Sequence, residues 1–174
     1  MKGLAAGLLL LLAAAPAAAQ ADMTVAATGF LAAYGGFHPS DGIPDAAGRM
    51  RLQPYLSPRL NKLLADGAAA ETRFAAQVKD APPLIEGDLF TSLFEGATSW
   101  KLDACSVSGA AARCPVEFAY AEGKEKPVTW TDTLILAATP QGWRVDDIAY
   151  GANFQFGNTG TLSETLQTVL REAP

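Results

Sequence analysis

The pattern of apolar residues changes at Pro82-Pro83, and this change constrains the fold more than any other feature of the chain. Before it, apolar residues recur at the three- and four-residue spacing of amphipathic helices, and after it they alternate with a period of two. Four segments of strand character follow, at residues 99–107, 113–120, 128–138 and 143–150. Short links with turn residues join them, which favours antiparallel pairing of neighbours. The sequence therefore predicts an α+β domain in which N-terminal helices pack on a curved four-stranded antiparallel meander.

The first predicted helix covers residues 24–34, and Gly35-Gly36 ends its pattern. Its apolar stripe consists of Ala27, Phe30, Leu31 and Tyr34. Residues 37–53 are rich in turn signals, so they are interpreted as a loop with a short helix before Pro54.

Two further helices are predicted before the sheet and one after it. Ser57-Pro58 is typical of a helix start, and Gly67 is interpreted as that helix's end. The next helix is predicted over residues 69–79, with Phe74 and Val78 facing the core. Near the C-terminus, Ser163 is interpreted as the cap of a last short helix that docks on the sheet.

The N-terminus has the organisation of an export signal. Lys2 provides a positive start, residues 4–15 form an apolar stretch too short to span a bilayer, and small residues follow at 17–21. Residues 1–21 are therefore predicted to be a signal peptide and residues 22–174 a single domain. No cysteine lies near the cleavage site, which argues against a lipoprotein, and no later segment is apolar enough for membrane insertion. We expect a periplasmic or secreted protein.

The charge balance excludes some partners. Loss of Lys2 takes the chain from a net charge of −5 to −6 in the mature protein. Nucleic acid and anionic lipid surfaces select clustered lysine and arginine, so neither is an expected partner. The acidic surface suits a basic partner, although moderate charge also serves simply to keep an exported protein in solution.

Cys105 and Cys114 are the only cysteines. Thiols of exported proteins are usually oxidised, and this spacing fits neighbouring strands of a hairpin, so a structural disulfide is predicted. Closing a loop of this length stabilises a fold by about 2.5 kcal/mol if chain entropy dominates. A redox-active pair is the alternative, but such pairs are usually more tightly spaced at a helix start.

Asp132 lies on the apolar side of its predicted strand, in alternation with Trp130, Leu134 and Leu136. A carboxylate in a core needs hydrogen bonds or an opening to a pocket. If the protein is an enzyme, Asp132 is the candidate general base and Tyr34 the candidate donor to an oxyanion. The alternatives are a β-bulge that turns Asp132 outward, or a buried acceptor for backbone N–H groups.

Residues 86–96 form a long connection between helices and sheet, and long connections are often functional. The predicted binding residues are its acidic, aromatic and hydroxyl side chains: Glu86, Asp88, Phe90, Thr91, Ser92, Phe94 and Glu95. The structural alternative is a one- or two-turn helix capped by Asp88, with Leu89, Phe90, Leu93 and Phe94 on its apolar face.

Three short blocks carry a family resemblance: EGDLFTSLFEG at 86–96, LSPRL at 56–60 and GWRVDDI at 142–148. With them, the chain resembles uncharacterised exported bacterial proteins. These are similar to the nuclear-transport-factor-two-like (cystatin-like) superfamily and, more distantly, to periplasmic immunity proteins that inhibit amidase toxins. The resemblance implies a cone-shaped α+β fold with a cavity at its open end. It does not select a function, since that superfamily includes isomerases, dehydratases, ligand binders and assembly modules.

Catalytic motifs are scarce in the sequence. His38 is the only histidine, it precedes a proline in a predicted loop, and no nucleophile elbow, phosphate loop or metal-ligand motif accompanies it. We expect no cofactor and no metal. The expected function is a non-enzymatic binding module for a protein or small ligand, and an inhibitor- or immunity-like role is one form of it. A small-molecule isomerase or dehydratase and a structural component of an envelope assembly are the alternatives.

Overall fold

The computed structural model describes residues 14–35, 42–80 and 82–173. It contains helices α1 (Ala14–Gly35), α2 (Ala46–Leu52), α3 (Pro58–Gln77) and α4 (Leu162–Glu172), and strands β1 (Ser99–Leu102), β2 (Ser106–Ser108), β3 (Ala111–Tyr120), β4 (Val128–Thr139) and β5 (Gly142–Ala149). A 3-10 turn at Gln53–Tyr55 links α2 to α3. The α+β class is confirmed, with helices before the sheet and a short helix after it. His38 and residues 1–13 lie outside the described residues, so the predicted signal peptide is described only from Ala14.

The sheet is antiparallel throughout and is not closed. Its order is β1-β3-β4-β5, with β2 also paired to β3 on the edge occupied by β1. The prediction of one strand at 99–107 was wrong, because the chain leaves the sheet between Leu102 and Ser106 and re-enters it as β2. The sheet therefore has five strands instead of four.

Pro115 lies opposite the gap between β1 and β2. Its carbonyl accepts from Asp103 N (2.9 Å), so its nitrogen faces the same interrupted edge, where a missing N–H is tolerated. The predicted Cys105–Cys114 disulfide is present beside this gap and joins the start of β2 to β3.

Within the described residues, helix α1 extends ten residues N-terminal to the predicted start, and it covers one face of the sheet, packing on β5 and β1. Its predicted stripe is confirmed, since Ala27, Phe30, Leu31 and Tyr34 are all buried. The rings of Phe30, Tyr34, Phe90, Phe118, Trp130 and Phe154 form an aromatic chain from α1 across the sheet. The space between helices and sheet is thus occupied by packed side chains.

Helix α3 corrects two predictions. Its start is as expected, with the Ser57 hydroxyl accepting from Leu60 N and Pro58 in the first turn. It does not end at Gly67, and the predicted helix at 69–79 is its continuation. A Cβ on Gly67 would lie 2.9 Å from Ile43 Cδ1, so this glycine permits a close approach instead of ending the helix. Val78, predicted to face the core, is exposed beyond the helix end.

The cap of α4 is also corrected. Thr161, not Ser163, is the N-cap, and it forms a capping box with Glu164. Ser163 instead bonds the carboxylate of Asp147 on β5, through its N–H (2.9 Å) and its hydroxyl (2.5 Å). The short helix predicted before Pro54 is confirmed as α2, whose N-cap is Asp45.

Candidate functional site

Residues 86–96 form an irregular loop between α3 and β1, so the alternative of a short helix at this point is wrong. The Asp88 side chain does accept backbone hydrogen bonds, from Phe90 N (2.6 Å) and Thr91 N (2.9 Å). These bonds form a local turn that helical hydrogen bonds do not extend. The chain then folds back, and Asp88 N donates to Phe94 O (2.7 Å).

Asp88 is 1% exposed and joins this loop to α1. The Tyr34 hydroxyl donates to Asp88 Oδ2 (2.8 Å) and accepts from Ala97 N (3.0 Å). A Cβ on Gly96, whose φ is +79°, would lie 2.7 Å from Asp88 Oδ2. Glycine is therefore required where the loop passes over this pair.

Burial controls the protonation of both groups. Desolvation raises the pKa of Asp88 to about 7, although hydrogen bonds from Tyr34 and the loop N–H groups act in the opposite direction. Desolvation, followed by the negative charge of Asp88, raises the pKa of Tyr34 above its ordinary value. Tyr34 is therefore a neutral donor at physiological pH, and Asp88 titrates near neutrality.

Asp132 is also 1% exposed and, as predicted, points to the apolar side of β4. Its oxygens accept from Ser92 N (2.8 Å), the Ser92 hydroxyl, Trp130 Nε1 (2.9 Å) and Gly151 N (2.8 Å). A Cβ on Gly151 would lie 2.0 Å from Thr131 O, so only glycine allows the chain this close. Asp132 thus occupies the position of a buried acceptor that ties two loops to the sheet.

The loop after β5, residues 150–160, is fastened to residues 86–96. Asn158 Nδ2 donates to Asp88 O (2.6 Å) and Thr91 O (2.7 Å), and Asn158 N donates to Ser92 O (3.0 Å). The Tyr150 hydroxyl donates to Leu89 O (2.7 Å). The two loops consequently form one hydrogen-bonded unit whose inner side is buried.

The outer side of this unit carries a groove of about 630 Å³, here named the loop groove. Its lining consists of Pro83, Leu84, Glu86, Phe94, Glu95, Gln155 and Phe156. Grooves beside α2, α3 and β5 are smaller, at about 290, 400 and 460 Å³, and each contains an arginine and no aromatic ring. Among the residues that the structure describes, the lining of the loop groove combines two phenyl rings with two carboxylates and includes no basic residue.

An unusual backbone conformation accompanies both rings of the loop groove. Phe94 is 36% exposed and lies over Gly87, where φ is +74° and a Cβ would stand 2.5 Å from the ring. Phe156 is 83% exposed and has φ of +65°, a conformation that is rare for a bulky side chain. Phe154, two residues earlier, packs on Trp130 at a centroid distance of 5.6 Å, which fixes the loop next to Phe156.

The seven residues predicted to bind divide into two sets. Asp88, Phe90, Thr91 and Ser92 are buried on the inner side, whereas Glu86, Phe94 and Glu95 are exposed and line the loop groove. Sequence reasoning missed Pro83, Leu84, Gln155 and Phe156. A signal for Gln155 and Phe156 was available in the segment Phe154-Gln155-Phe156-Gly157, which follows the last strand and contains two aromatic residues before a glycine.

Asp146 and Asp147 of β5 bond to residues at the starts of two helices. Arg59 Nη2 contacts Asp146 Oδ2 (2.8 Å), and the Ser57 hydroxyl donates to Asp146 Oδ1 (2.5 Å). Burial acts to raise the pKa of Asp146, but the bonds from Arg59 and Ser57 outweigh it and lower that pKa. Together with the Asp147–Ser163 contact, this pair fixes the starts of α3 and α4 to the sheet.

Within residues 14–35, 42–80 and 82–173, no group of three histidine, cysteine, aspartate or glutamate side chains could hold a metal ion. Over the same residues, every helix is too short or too polar to cross a membrane. No family model, curated protein or solved structure matches this chain.

Proposed function

We propose that this protein is an exported, non-enzymatic binding module that engages a protein or small ligand through the loop groove. The observation that carries the proposal is the exposure of Phe94 and Phe156 in a groove that Glu86 and Glu95 also line, on loops whose inner sides are fixed by buried hydrogen bonds. Exposed aromatic rings on a rigid support are the usual anchors of binding surfaces. The proposal includes the resemblance to nuclear-transport-factor-two-like proteins, some of which bind ligands or partners.

The disulfide and the apolar N-terminal stretch support export to the periplasm or beyond it. Helix α1 runs through the small residues at 17–21. From residue 19 onward, where burial is described, the first buried residue of α1 is Met23, so cleavage after Ala19 or Ala21 leaves this buried part of α1 in the mature protein.

Burial of the two candidate catalytic residues favours binding over catalysis. Tyr34 and Asp132 are each 1% exposed, and their polar atoms bond to Asp88, Ala97, Ser92, Trp130 and Gly151. A general base needs to reach a proton of the substrate, and these partners occupy that position. Metabolite turnover that is lost in folded Asp132→Asn and Tyr34→Phe variants would favour the isomerase or dehydratase alternative.

Site-specific photocross-linking tests the proposal. With p-benzoylphenylalanine at position 156, irradiation of cells exporting the protein is expected to give discrete adducts, seen as defined mass increases of the intact protein. The matched control carries the same group at Val107, which is 58% exposed on β2 and outside the loop groove. Absence of adducts at position 156, or the same adducts at both positions, would contradict binding at the loop groove.

A further inference from the structure

We infer that the occupant of the loop groove is an arginine or lysine side chain of a partner polypeptide, flanked by apolar residues. This inference rests on the proposed function and names the partner's chemistry. It combines three features of the groove, namely its charge, its aromatic lining and the large exposed fraction of the Phe156 side chain.

The charge of the loop groove is unbalanced. Glu86 and Glu95 line it, and neither forms an ion pair with any residue that the structure describes. The mature protein is itself acidic, so its overall charge and the local carboxylates both attract a cation. A guanidinium or ammonium group supplies the missing positive charge, and arginine can bond a carboxylate through two N–H groups.

The walls of the loop groove also suit a cation with an apolar stem. Phe94 and Phe156 are aromatic, and the negative face of an aromatic ring attracts a cation. Pro83 and Leu84 offer apolar contact for the methylene groups of the stem. A free inorganic cation would use the carboxylates and leave these apolar surfaces uncovered.

The exposure of Phe156 favours a polypeptide over a small cationic metabolite. A ligand that fits within about 630 Å³ would fill the loop groove, whereas a ring that is 83% exposed stands largely above it. Covering such a ring takes a surface that extends past the groove, as the apolar neighbours of a basic residue on a protein would. Exposed aromatic residues at the centre of protein interfaces commonly contribute most of the affinity.

A peptide array tests the inference with the full mature protein. Each peptide carries two apolar residues on either side of a central position, which is arginine, lysine or citrulline in otherwise identical triplets. Citrulline preserves the shape of arginine and removes its charge. We expect arginine and lysine members to bind at least tenfold more tightly than citrulline members, and added salt to reduce this preference.

Variants assign the preference to the loop groove. Glu86→Gln with Glu95→Gln is expected to abolish the arginine-over-citrulline preference, and Phe156→Ala to weaken all members about tenfold or more. The control, Glu117→Gln with Glu125→Gln, removes two exposed carboxylates outside the groove and should retain the preference.

The outcomes separate this inference from the proposed function. Peptide binding that depends on Phe156 but is equal for arginine and citrulline overturns the basic partner and retains a binding module. Equal binding of free arginine and of the arginine peptides overturns the polypeptide and indicates a small cation. Binding by no peptide also overturns the inference, while the cross-linking experiment still decides whether the loop groove binds anything.

Discussion

The inner and outer sides of residues 86–96 have opposite properties, although they alternate within a single loop. The inner side, formed by Asp88, Phe90, Thr91 and Ser92, is buried, and its polar atoms bond to α1, β4 and the loop after β5. The outer side exposes Glu86, Phe94 and Glu95. This contrast indicates that the buried polar residues of the loop, Asp88, Thr91 and Ser92, stabilise the fold and that the two exposed ones, Glu86 and Glu95, are available to a partner.

The contrast also explains how an exposed groove keeps its shape. Loops with few buried contacts fluctuate readily, and binding then has to order them at a cost in affinity. Here Asp132 and Asn158 form hydrogen bonds to the two loops on their inner side, which leaves the outer residues preorganised. The inner side should therefore dominate stability, and the outer side should dominate binding.

The largest expected effect comes from removing the acceptor beneath the loops. Asp132→Ala leaves buried donors without partners on Ser92, Trp130 and Gly151. Each such donor costs about 1–3 kcal/mol, so the free energy of unfolding should fall by at least about 3 kcal/mol, measured by urea denaturation at pH 7. The control is Asp103→Ala, since Asp103 is exposed and its contact with Lys101 is long, at 3.7 Å. A loss below about 1 kcal/mol for Asp132→Ala would contradict the claim that the inner side of the loops dominates stability.

The second effect is a pH dependence that comes from Asp88. Its pKa of about 7 in the folded protein lies above its ordinary value of 3.8, so between these values the folded state binds more protons than the unfolded state. This contribution to stability is fully present below about pH 4 and is lost as the pH rises through about 7. The slope reaches at most about 1.4 kcal/mol per pH unit.

Asp88→Asn isolates this slope, because the amide does not titrate. The difference in unfolding free energy between wild type and variant should decrease steadily from pH 4 to pH 8 in urea titrations. Asn61→Ala, which removes side-chain hydrogen bonds but no titratable group, is the control, and its difference from wild type should stay constant over that interval. A wild-type-to-variant difference that is flat with pH would mean that Asp88 is not protonated on folding.

The smallest effect has the opposite sign and concerns the outer side. Phe156→Gly relieves a left-handed backbone at an exposed residue, so the free energy of unfolding should rise by about 0.5–1 kcal/mol, while peptide binding at the loop groove weakens by about tenfold or more. Phe154→Gly, whose ring packs on Trp130, should instead lower stability. A stability loss in Phe156→Gly would show that this ring supports the fold.

Local patterns predicted most of the secondary structure, because they report the environment of one element at a time. The stripe on α1, the Ser57-Pro58 start of α3 and the alternation in β3 and β4 were correct for that reason. Gly67 and Ser163 were misinterpreted because their roles depend on distant partners, Ile43 and Asp147. The same limit applied to residues 86–96, where composition identified the segment but not which side chains face inward.

The sequence by itself predicted the α+β class and the disulfide and placed Asp132 on the apolar side of its strand, since alternation and cysteine spacing are properties of short stretches. Tertiary structure excluded the bulge that would have turned Asp132 outward, since this residue is buried. Tertiary structure alone decided that Tyr34 bonds Asp88 and that Asp132 bonds Ser92 and Gly151. It also decided that Phe156 joins Phe94 in one groove, across more than sixty residues of chain. These pairings depend on how the two loops lie against α1 and β4, which is set by packing of the whole core and is not encoded in any one segment.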